Sequence, residues 1–285
     1  MFHNRNYYYY FIAGLQDIFL DDTELHFPML DFKHDLEEHL KSEDYELAEL
    51  LFLPYDNVEL LRFLNEDYEN QNDLGKFTAQ DFEVEFSDEK QGILPSYMYK
   101  FVEIYKDEEL SKNISKSWET VLTEMYYEYV LQTKNKFLKQ WFEFNQNLNN
   151  ILIGQNCRNH NLEVEKQLIG DNMVSKAILE SNAKDFGLET ELQYVSDILA
   201  LTDNENLLAR EKGLDQLKWD KVEEITLFDY FTIEVVLAYT IKLDIAYRWL
   251  ELDEETGRKM FSKIINDLKS GFEFSKEFSI NGKNK

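Results

Sequence analysis

Residues 115–152 read SKSWETVLTEMYYEYVLQTKNKFLKQWFEFNQNLNNIL, and this stretch predicts a long amphipathic helix. Its apolar residues recur at helical spacing and form one broad face. The face consists of Trp118, Leu122, Met125, Tyr129, Leu138, Trp141, Phe142 and Leu148. A second long apolar helix is predicted from Thr226 to about Leu252. Helices of this length set the fold class for the rest of the chain.

The scarcity of turn residues supports the same fold class. The chain has only 3 Pro and 10 Gly among 285 residues. All-β sandwiches and barrels need turn signals every ten or so positions, which this composition does not supply. Hydrophobic residues make up 44% and aromatic residues 15%, so the chain is not of the disordered class. We therefore predict a folded, all-α protein.

Three further segments carry local signals. Residues 7–15 (YYYYFIAGL) are apolar and aromatic, and are consistent with either a strand or the start of a buried helix. Phe82, Val84 and Phe86 alternate with polar residues, which is the pattern of a short strand. Residues 154–161 contain glycine and several polar residues and predict a break after the long helix. A final helix is predicted over residues 253–267, with Asp253 as its N-cap.

The charge balance narrows the classes of partner. The chain has 56 acidic and 30 basic residues and a net charge of −26. A phosphate backbone and an anionic membrane surface would both be repelled, whereas a basic protein partner would be attracted. An acidic surface that only maintains solubility is the alternative explanation.

Other features bear on the compartment. The single cysteine, Cys157, cannot form an internal disulfide, which fits a reducing compartment. Residues 1–6 show no signal-peptide pattern. Residues 227–252 are interrupted by charged residues, among them Asp229, Glu234, Lys242, Asp244 and Arg248, so we expect no transmembrane helix there. Any membrane association is expected to run through a partner.

No motif predicts catalysis. The sequence contains no G-x-x-x-x-G-K-[ST] phosphate loop, no G-x-G-x-x-G motif after a strand and no G-x-S-x-G elbow. His34 and His39 are five residues apart, which points their rings in different directions on a helix. Cys157 and His160 lie three apart without further ligands nearby. We expect no catalytic, cofactor-binding or metal-binding residues.

Acidic clusters have a structural interpretation. Residues 21–24 and 253–255 fall at predicted helix starts, where negative charge interacts favourably with the helix dipole. The tyrosines at positions 7–10 could form a stacking platform, but packing in the core or in an interface is the interpretation we favour for so acidic a chain.

A weak threefold repeat runs through the chain. Asp56, Asn147 and Asp244 can be set in register, at intervals of 91 (147 − 56) and 97 (244 − 147) residues, each close to one third of the 285-residue chain. The residues nine, six, five and three positions before each of these and five positions after it are apolar in all three copies. Three unrelated amphipathic helices could also be aligned in this way. As a true repeat, the pattern predicts three helical modules, residues 1–95, 96–187 and 188–285, that pack on one another.

The third copy resembles a known family. Residues 227–265 read LFDYFTIEVVLAYTIKLDIAYRWLELDEETGRKMFSKII. This segment is similar to the third repeat of the C/d family of central-stalk proteins (C in archaeal-type and bacterial V-type rotary ATPases, d in eukaryotic ones). The matching residues are Val235, Leu237, Ala238, Tyr239, Lys242, Asp244, Ile245 and Arg248. Residues 207–217 (LLAREKGLDQL) resemble the family's preceding helix, and the opening YYYYFIAGL is similar to the start of an uncharacterised bacterial family associated with V-type ATPase operons.

The chain also departs from the pattern of the C/d family. Asp244 stands where that family has Glu, and Ala246 and Tyr247 replace an Asn-Leu pair. The resemblance therefore supports the fold more strongly than it supports the family's contact surfaces, and it assigns no contact residues.

The resemblance implies a fold and a function. It implies an all-helical, elongated or funnel-shaped body of three similar modules. Such a protein of the central stalk sits on the cytoplasmic face of the proteolipid ring and receives the foot of the central shaft. It is non-catalytic and couples rotation of the shaft to rotation of the ring during ion transport. The expected partners are the shaft subunits and the ring, with the protein a monomer in that complex, peripheral to the inner membrane.

Two other functions are compatible with the residues. One is a generic helical scaffold or assembly protein unrelated to ATPases. The other is a helical enzyme with a buried carboxylate or histidine site, which would require a deep pocket with convergent polar side chains.

Overall fold

The structure, a computed structural model, describes residues 6–20, 22, 25, 27–67 and 73–251. All the regular secondary structure in these residues is helical, which confirms the predicted all-α fold. The helices are α1 Tyr9–Gly14, α2 Met29–His39, α3 Ser42–Leu64, α4 Ala79–Glu85, α5 Ser96–Lys106, α6 Glu108–Ser111, α7 Trp118–Val130, α8 Lys136–His160, α9 Met173–Glu180, α10 Val195–Thr202, α11 Leu207–Thr226 and α12 Ile233–Glu251. A single 3₁₀ turn covers Val164–Lys166.

Three helix pairs form the body of the molecule and pack in cyclic order. The pairs are α2–α3, α7–α8 and α11–α12, and each second helix contacts the first helix of the next pair. Thus α3 packs on α7, α8 packs on α11, and α12 returns to pack on α2 and α3. The shorter helices fill the positions between the pairs. Because the last pair closes onto the first, the buried apolar residues form one continuous core.

Proline 54 shows how two of the pairs are joined. Pro54 lies inside α3 and has no backbone N–H, so the carbonyl of Leu50, four residues earlier, loses its usual helical donor. The Tyr126 hydroxyl of α7 donates a hydrogen bond to this carbonyl at 3.3 Å. The Leu50 carbonyl that proline leaves without a helical donor is thereby satisfied from α7, and the hydrogen bond joins α3 to α7.

Two loops are held by buried polar side chains in the same manner. Asp56 of α3 accepts hydrogen bonds from the backbone N–H groups of Lys76 and Phe77, at 2.5 and 2.9 Å. Asn150 of α8 accepts from the N–H of Ile169 at 2.8 Å and donates to its carbonyl at 2.9 Å. In both cases a long helix holds the loop that leads into the next short helix.

Each of these loops ends in a capping box. Thr78 caps α4 and Asn172 caps α9, and in each helix the third residue bonds back to the cap. The caps lie 22 residues after Asp56 and after Asn150 (78 − 56 and 172 − 150). These contacts pair Asp56 with Asn150, three residues beyond the Asn147 of the sequence register. The residues that follow α12 in the third copy lie outside the described residues, so the threefold repeat stays a prediction.

The helix predicted over residues 115–152 is wrong, because it is two helices. Helix α7 ends at Val130 and α8 begins at Lys136. The Asn135 side chain accepts a hydrogen bond from the N–H of Leu138 and so caps α8. The apolar pattern runs through both helices without interruption because both pack on the same core.

The strand predicted at Phe82, Val84 and Phe86 is also wrong. These residues lie in and just after α4, and the rings of Phe82 and Phe86 stack at a centroid distance of 6.2 Å. Phe82 and Phe86 are four residues apart, so they lie on one face of a helix and also on one face of a strand. The sequence pattern therefore fits both the helix and the strand. The capping box at Thr78 decides for the helix.

Two predicted helix ends are misplaced as well. The break predicted at residues 154–161 lies within α8, which continues to His160. Thr226 does not begin the second long helix but ends α11, and α12 begins at Ile233. The helix predicted over residues 253–267, with its acidic start, lies outside the described residues.

Candidate protein-interaction surface

Exposed aromatic residues from two distant segments meet on one side of the molecule. The backbone N–H of Tyr8 donates a hydrogen bond to the carbonyl of Phe231 at 2.7 Å. The rings of Tyr7 and Tyr9 stack at 5.6 Å, and the ring of Tyr9 lies 4.9 Å from that of Phe231. We call these side chains and their exposed aromatic neighbours the aromatic surface: Tyr7, Tyr9, Tyr10, Phe228, Tyr230 and Phe231.

Tyr8 is the buried member of the N-terminal cluster and anchors it. Its side chain is 8% exposed, and its hydroxyl donates a hydrogen bond to Asp44 at the start of α3. The backbone N–H of Lys41 donates to the same hydroxyl at 3.3 Å. Burial, together with the neighbouring Asp44 carboxylate, raises the pKa of Tyr8, so it remains protonated and able to donate. With Tyr8 held inward, the flanking tyrosines face outward.

The second segment is the loop between α11 and α12. Phe231 adopts a positive φ of 56°, which a bulky residue rarely does. Such a conformation costs about 1–3 kcal/mol and persists only where the surroundings hold it. The hydrogen bond from Tyr8 and the ring contact with Tyr9 both fall on this residue. The loop is therefore shaped by the segment beside it.

The exposure of these rings is unusual for large aromatic side chains. Tyr10 is 97% exposed and Phe228 is 85% exposed, and Leu227 and Tyr230 beside it are also exposed. Single exposed apolar residues need no explanation, but several on two adjacent segments, joined by the ring contacts of Tyr7, Tyr9 and Phe231, are typical of an interaction site. Tyrosine and phenylalanine are enriched in protein interfaces.

The aromatic surface has charged residues of both signs near it. Residues 6–20 and 227–234 contain Asp17, Asp229 and Glu234 and no lysine or arginine, but Lys41 donates a hydrogen bond to Asn6, next to Tyr7, at 2.5 Å. At the start of α12, the Glu234 carboxylate accepts a hydrogen bond from Asn135 at 3.2 Å. Its other oxygen and the hydroxyl of Thr232 are buried and have no hydrogen-bond partner within the described part of the chain. The base of the loop thus holds a partly buried carboxyl group.

Four buried carboxylates among the described residues are the candidates for a catalytic site. Asp56 and Glu59 lie on α3, Glu85 on α4 and Asp215 on α11, and Glu59 pairs with Arg62 at 2.7 Å. Glu85 accepts hydrogen bonds from Tyr99 and from the backbone N–H groups of Gln91 and Gly92. Burial acts against ionisation here, but these hydrogen bonds lower the pKa of Glu85 below its ordinary value.

Asp215 has a comparable role between α11 and α12. It accepts a hydrogen bond from Trp249 at 2.8 Å and pairs with Arg248 and, at 3.4 Å, with Lys218. Like Asp56, these carboxylates hold loops and helices in place. Each of them has its own set of hydrogen-bond partners, and none of the hydrogen bonds given above joins one of these carboxylates to another.

The two histidines of α2 are both exposed, as predicted. His39, however, groups with Asp35 and Glu38, whose possible ligand atoms all lie within 4.8 Å of one another. These are residue types that bind a divalent cation, but all three are solvent-exposed on one helix, and His39 Nδ1 already contacts the Asp35 carbonyl at 2.9 Å. The spacing of the two histidines alone does not reveal this grouping.

Cys157 and His160 do not lie in the predicted loop but in the last turns of α8. Cys157 is buried and His160 exposed, and burial raises the pKa of the Cys157 thiol. A cavity of about 290 Å³ adjoins Cys157. Arg158, which also lines this cavity, already donates its hydrogen bonds to the backbone. Arg158 donates to the carbonyls of Ala183 and Ser181 and stacks on Phe186. This arrangement does not activate a nucleophile.

The aromatic surface is only partly visible in the sequence. Residues 7–15 are helical from Tyr9 to Gly14, but no residue of α1 is fully buried, so the predicted buried helix is wrong. Residues 227–231 form a loop and not the start of the predicted helix. The aromatic residues in this sequence, LFDYF, do not recur at helical spacing. The lack of helical spacing is the one feature of the sequence that indicates a loop here.

None of the helices among the described residues has the length and apolar character to cross a membrane. A comparison with protein-family models matches residues 5–272 to a family described as a protein of unknown function (DUF2764). No curated protein and no solved structure matches the sequence.

Proposed function

Since the chain belongs to the DUF2764 family of proteins of unknown function, its role must be inferred from its own residues, and we propose that it is a non-catalytic central-stalk subunit of a V/A-type rotary ATPase. In this role it links the central shaft to the proteolipid ring, is held at the cytoplasmic face of the inner membrane by these partners, and acts as a monomer within the complex.

The cyclic packing of three helix pairs is the observation that carries the proposal. The resemblance of residues 227–265 to the C/d family implies three similar helical modules. In the structure α3 packs on α7, α8 packs on α11, and α12 packs on α2. A closed ring of interdigitated helices resists deformation, and a coupling that transmits torque needs this property.

The equivalent loop contacts of Asp56 and Asn150 add support. Two of the three pairs hold the following loop by a buried polar side chain and start the next helix with a capping box at the same distance. Unrelated amphipathic helices would share an apolar face but would have no reason to share these polar contacts.

The buried carboxylates among the described residues are held by donors of the same chain, an arrangement that favours a docking role over an enzymatic one. Asp56, Glu85 and Asp215 are held in this way. The exposed aromatic surface, in contrast, has the composition of an interface. A net charge of −26 further favours a basic partner.

The proposal is tested by affinity purification from gently solubilised native membranes. A tagged copy is captured in low salt and again in high salt, and the eluate is identified by mass spectrometry. We expect the shaft and ring subunits of a V-type ATPase to be recovered, less so at high salt because screening weakens contacts between charged surfaces. Reciprocal capture through a protein of the shaft should recover this chain.

The proposal would be refuted if the tagged protein were recovered alone while the intact ATPase was detected elsewhere in the same sample. Reproducible recovery with another assembly, without ATPase subunits, would favour the generic scaffold instead.

A further inference from the structure

We propose that residues 268–280 of this chain cover the aromatic surface in the free protein. This segment lies outside the described residues and reads LKSGFEFSKEFSI, with phenylalanine at positions 272, 274 and 278. A partner that docks on the aromatic surface therefore competes with it. The inference concerns the free protein, so it does not rest on the proposed function.

Three rings of the aromatic surface are open to such a segment. Tyr10 is 97% exposed, Phe228 is 85% exposed and Tyr230 is 69% exposed. The ring contacts that join the two segments of the surface involve Tyr7, Tyr9 and Phe231 instead. Covering large aromatic rings removes apolar area from water and is favourable.

The first two helix pairs show the course of the chain after the second helix of a pair. In both pairs the chain turns back along that helix, since α4 packs on α3 and α9 packs on α8. Phe77 is held by Asp56, eight residues before the end of α3 (64 − 56). Ile169 is held by Asn150, ten residues before the end of α8 (160 − 150). The same course after α12 brings the chain back toward the start of that helix.

The sequence that follows α12 favours this reversal. Helix α12 ends at Glu251, and the helix predicted over residues 253–267 has its N-cap at Asp253. Helices joined by so short a connection pack as antiparallel neighbours. The predicted helix also has an apolar face that must be buried against a neighbour. This face consists of Met260, Phe261, Ile264 and Ile265.

The lengths of the two helices bring the phenylalanines to the aromatic surface. Helix α12 begins two residues after Phe231 and has 19 residues, which span about 28 Å. A helix over residues 253–267 returns by about 22 Å, which leaves about 6 Å to the loop. Residues 268–271 cover this distance, because an extended chain advances about 3.3 Å per residue. Residues 272–278 then lie at the level of Phe228 and Tyr230.

The charge of the C-terminal region complements that of the rest of the chain. Residues 258–285 contain seven basic and three acidic residues, a net charge of +4. Residues 1–257 therefore carry a net charge of −30 (−26 − 4). The region is attracted to the body of its own chain, whereas a second copy of the whole chain is repelled. The family match ends at residue 272, 21 residues beyond α12 (272 − 251), so it includes the predicted helix and the start of the covering segment.

Chemical crosslinking of the purified full-length protein tests the inference. One variant combines Leu227→Cys with Ser275→Cys, and the matched control combines Leu208→Cys with Ser275→Cys. Leu227 and Leu208 are 63% and 52% exposed, but Leu208 lies about 28 Å from the loop along α11. A short bismaleimide joins two thiols only when they lie close together, and the native Cys157 is buried.

We expect a crosslink within one chain between positions 227 and 275, identified by mass spectrometry of the linked peptides. Its yield should exceed that of the control by about tenfold or more, because a fixed contact raises the effective concentration of one thiol beside the other.

Further variants identify the side chains that hold the segment. In the protein with Leu227→Cys and Ser275→Cys, replacement of Phe272, Phe274 and Phe278 by serine should lower the yield about tenfold, as expected for loss of interface aromatics. Replacement of the same three residues by tyrosine keeps the rings and should keep the yield. Circular dichroism checks that each variant retains its fold.

Three results would overturn the inference. Equal yields from the test and control pairs would show that the segment has no fixed position on the aromatic surface. A crosslink that forms only between two chains would make a second copy the occupant. An unchanged yield in the serine variant would show that the phenylalanines do not hold the segment. Because the purified protein is used alone, these outcomes are independent of the capture of ATPase subunits, so failure of one proposal leaves the other standing.

Discussion

The Asp56 carboxylate, 1% exposed in α3, accepts the N–H groups of both Lys76 and Phe77 on a single oxygen, Oδ1. Lys33 of α2 donates to the carbonyls of Leu74 and Gly75 in the same loop. Two helices therefore hold one loop through its backbone, and the buried Phe77 and the Lys76–Glu49 ion pair add side-chain contacts to it.

The geometry predicts different effects for two substitutions of Asp56. Asp56→Asn retains an oxygen in the same position and should keep both backbone hydrogen bonds. Asp56→Ala leaves the buried N–H of Phe77 and the partly buried N–H of Lys76 without their acceptor. It should lower the free energy of unfolding by about 1–3 kcal/mol relative to Asp56→Asn. Urea unfolding followed by circular dichroism measures the difference. Equal stability of the two variants would contradict the role assigned to these bonds.

Asp56 also predicts a pH dependence. Burial raises its pKa from 3.8 to about 6, against the opposing effect of the two N–H groups and of Lys33. The folded state therefore binds this proton more tightly than the unfolded chain does. The resulting stabilisation is complete below pH 3.8 and is lost as the pH rises through about 6.

The wild type should accordingly lose stability relative to Asp56→Asn as the pH rises across this window, by at most about 3 kcal/mol. Other carboxylates titrate alike in both proteins and cancel in the difference. Stability curves that stay parallel from pH 3.8 to about 6 would show that the folded pKa is not raised.

For single residues, the sequence identifies the side chain but does not predict which groups will surround it in the fold. The repeat register singles out Asp56 as a polar position among apolar ones, yet a lone acid in a helix looks like part of a solvated face. Its burial depends on a loop 20 residues later returning to it. Likewise, four consecutive tyrosines give no hint that only Tyr8 is turned inward.

Helix α8 shows why element boundaries are harder to predict than elements. Gly154 is typical of a break, but in α8 the glycine is needed for packing. A Cβ at this position would lie 2.8 Å from Ile178 Cγ2 and 3.0 Å from Phe186 Cζ. The small residue allows α9 and the segment after it to approach α8 closely.

Substitution of Gly154 by alanine should be destabilising. Alanine is favoured over glycine in a helix by about 1 kcal/mol, but overpacking costs about 1–3 kcal/mol, and the β-branched Ile178 has few other rotamers available. We expect a net loss of about 1 kcal/mol in chemical denaturation. Gly14→Ala is the matched control, since nothing lies within 4 Å of its Cβ. A Gly154→Ala protein as stable as the control would show that the contact relaxes freely.

Most missed boundaries have a cap that could have marked them. Asn135 caps α8, Ser117 caps α7 and Thr78 caps α4, each through a side-chain oxygen. These single capping residues are easily overlooked in the sequence, because the apolar periodicity of the helices continues across the short connections between them. The existence of the long helices is predictable from spacing, whereas their ends depend on one or two hydrogen bonds.

The closed order of the three helix pairs determines how the whole molecule should unfold. The pairs share one core, and α12 seals it against α2 and α3, where the rings of Tyr239 and Phe32 meet at 5.3 Å. Loss of packing in any pair should therefore weaken the other two.

Leu36→Ala tests this coupling. Leu36 is fully buried in α2, and its truncation should cost about 2–5 kcal/mol. All four tryptophans, Trp118, Trp141, Trp219 and Trp249, lie in the second and third pairs. We expect the midpoint of the tryptophan fluorescence transition to fall as far as that of circular dichroism. An early loss of helix with unchanged fluorescence would mean that the first pair unfolds by itself.

The fold class follows from the scarcity of proline and glycine, because that property belongs to the whole chain. The aromatic surface does not follow, because its two segments are separated by more than two hundred residues and only the cyclic packing of the helix pairs brings them together.

The hydrogen bond between Tyr8 and Phe231 also sets an order of events during translation. The ribosome releases residues 7–10 more than two hundred residues before the α11–α12 loop. Until residue 231 has emerged, Tyr8 lacks its hydrogen-bond acceptor in the loop, and the aromatic surface is not yet assembled. A nascent or prematurely terminated chain that ends before residue 231 therefore lacks the contact that holds the tyrosines in place, and only copies synthesised past this residue carry the complete surface.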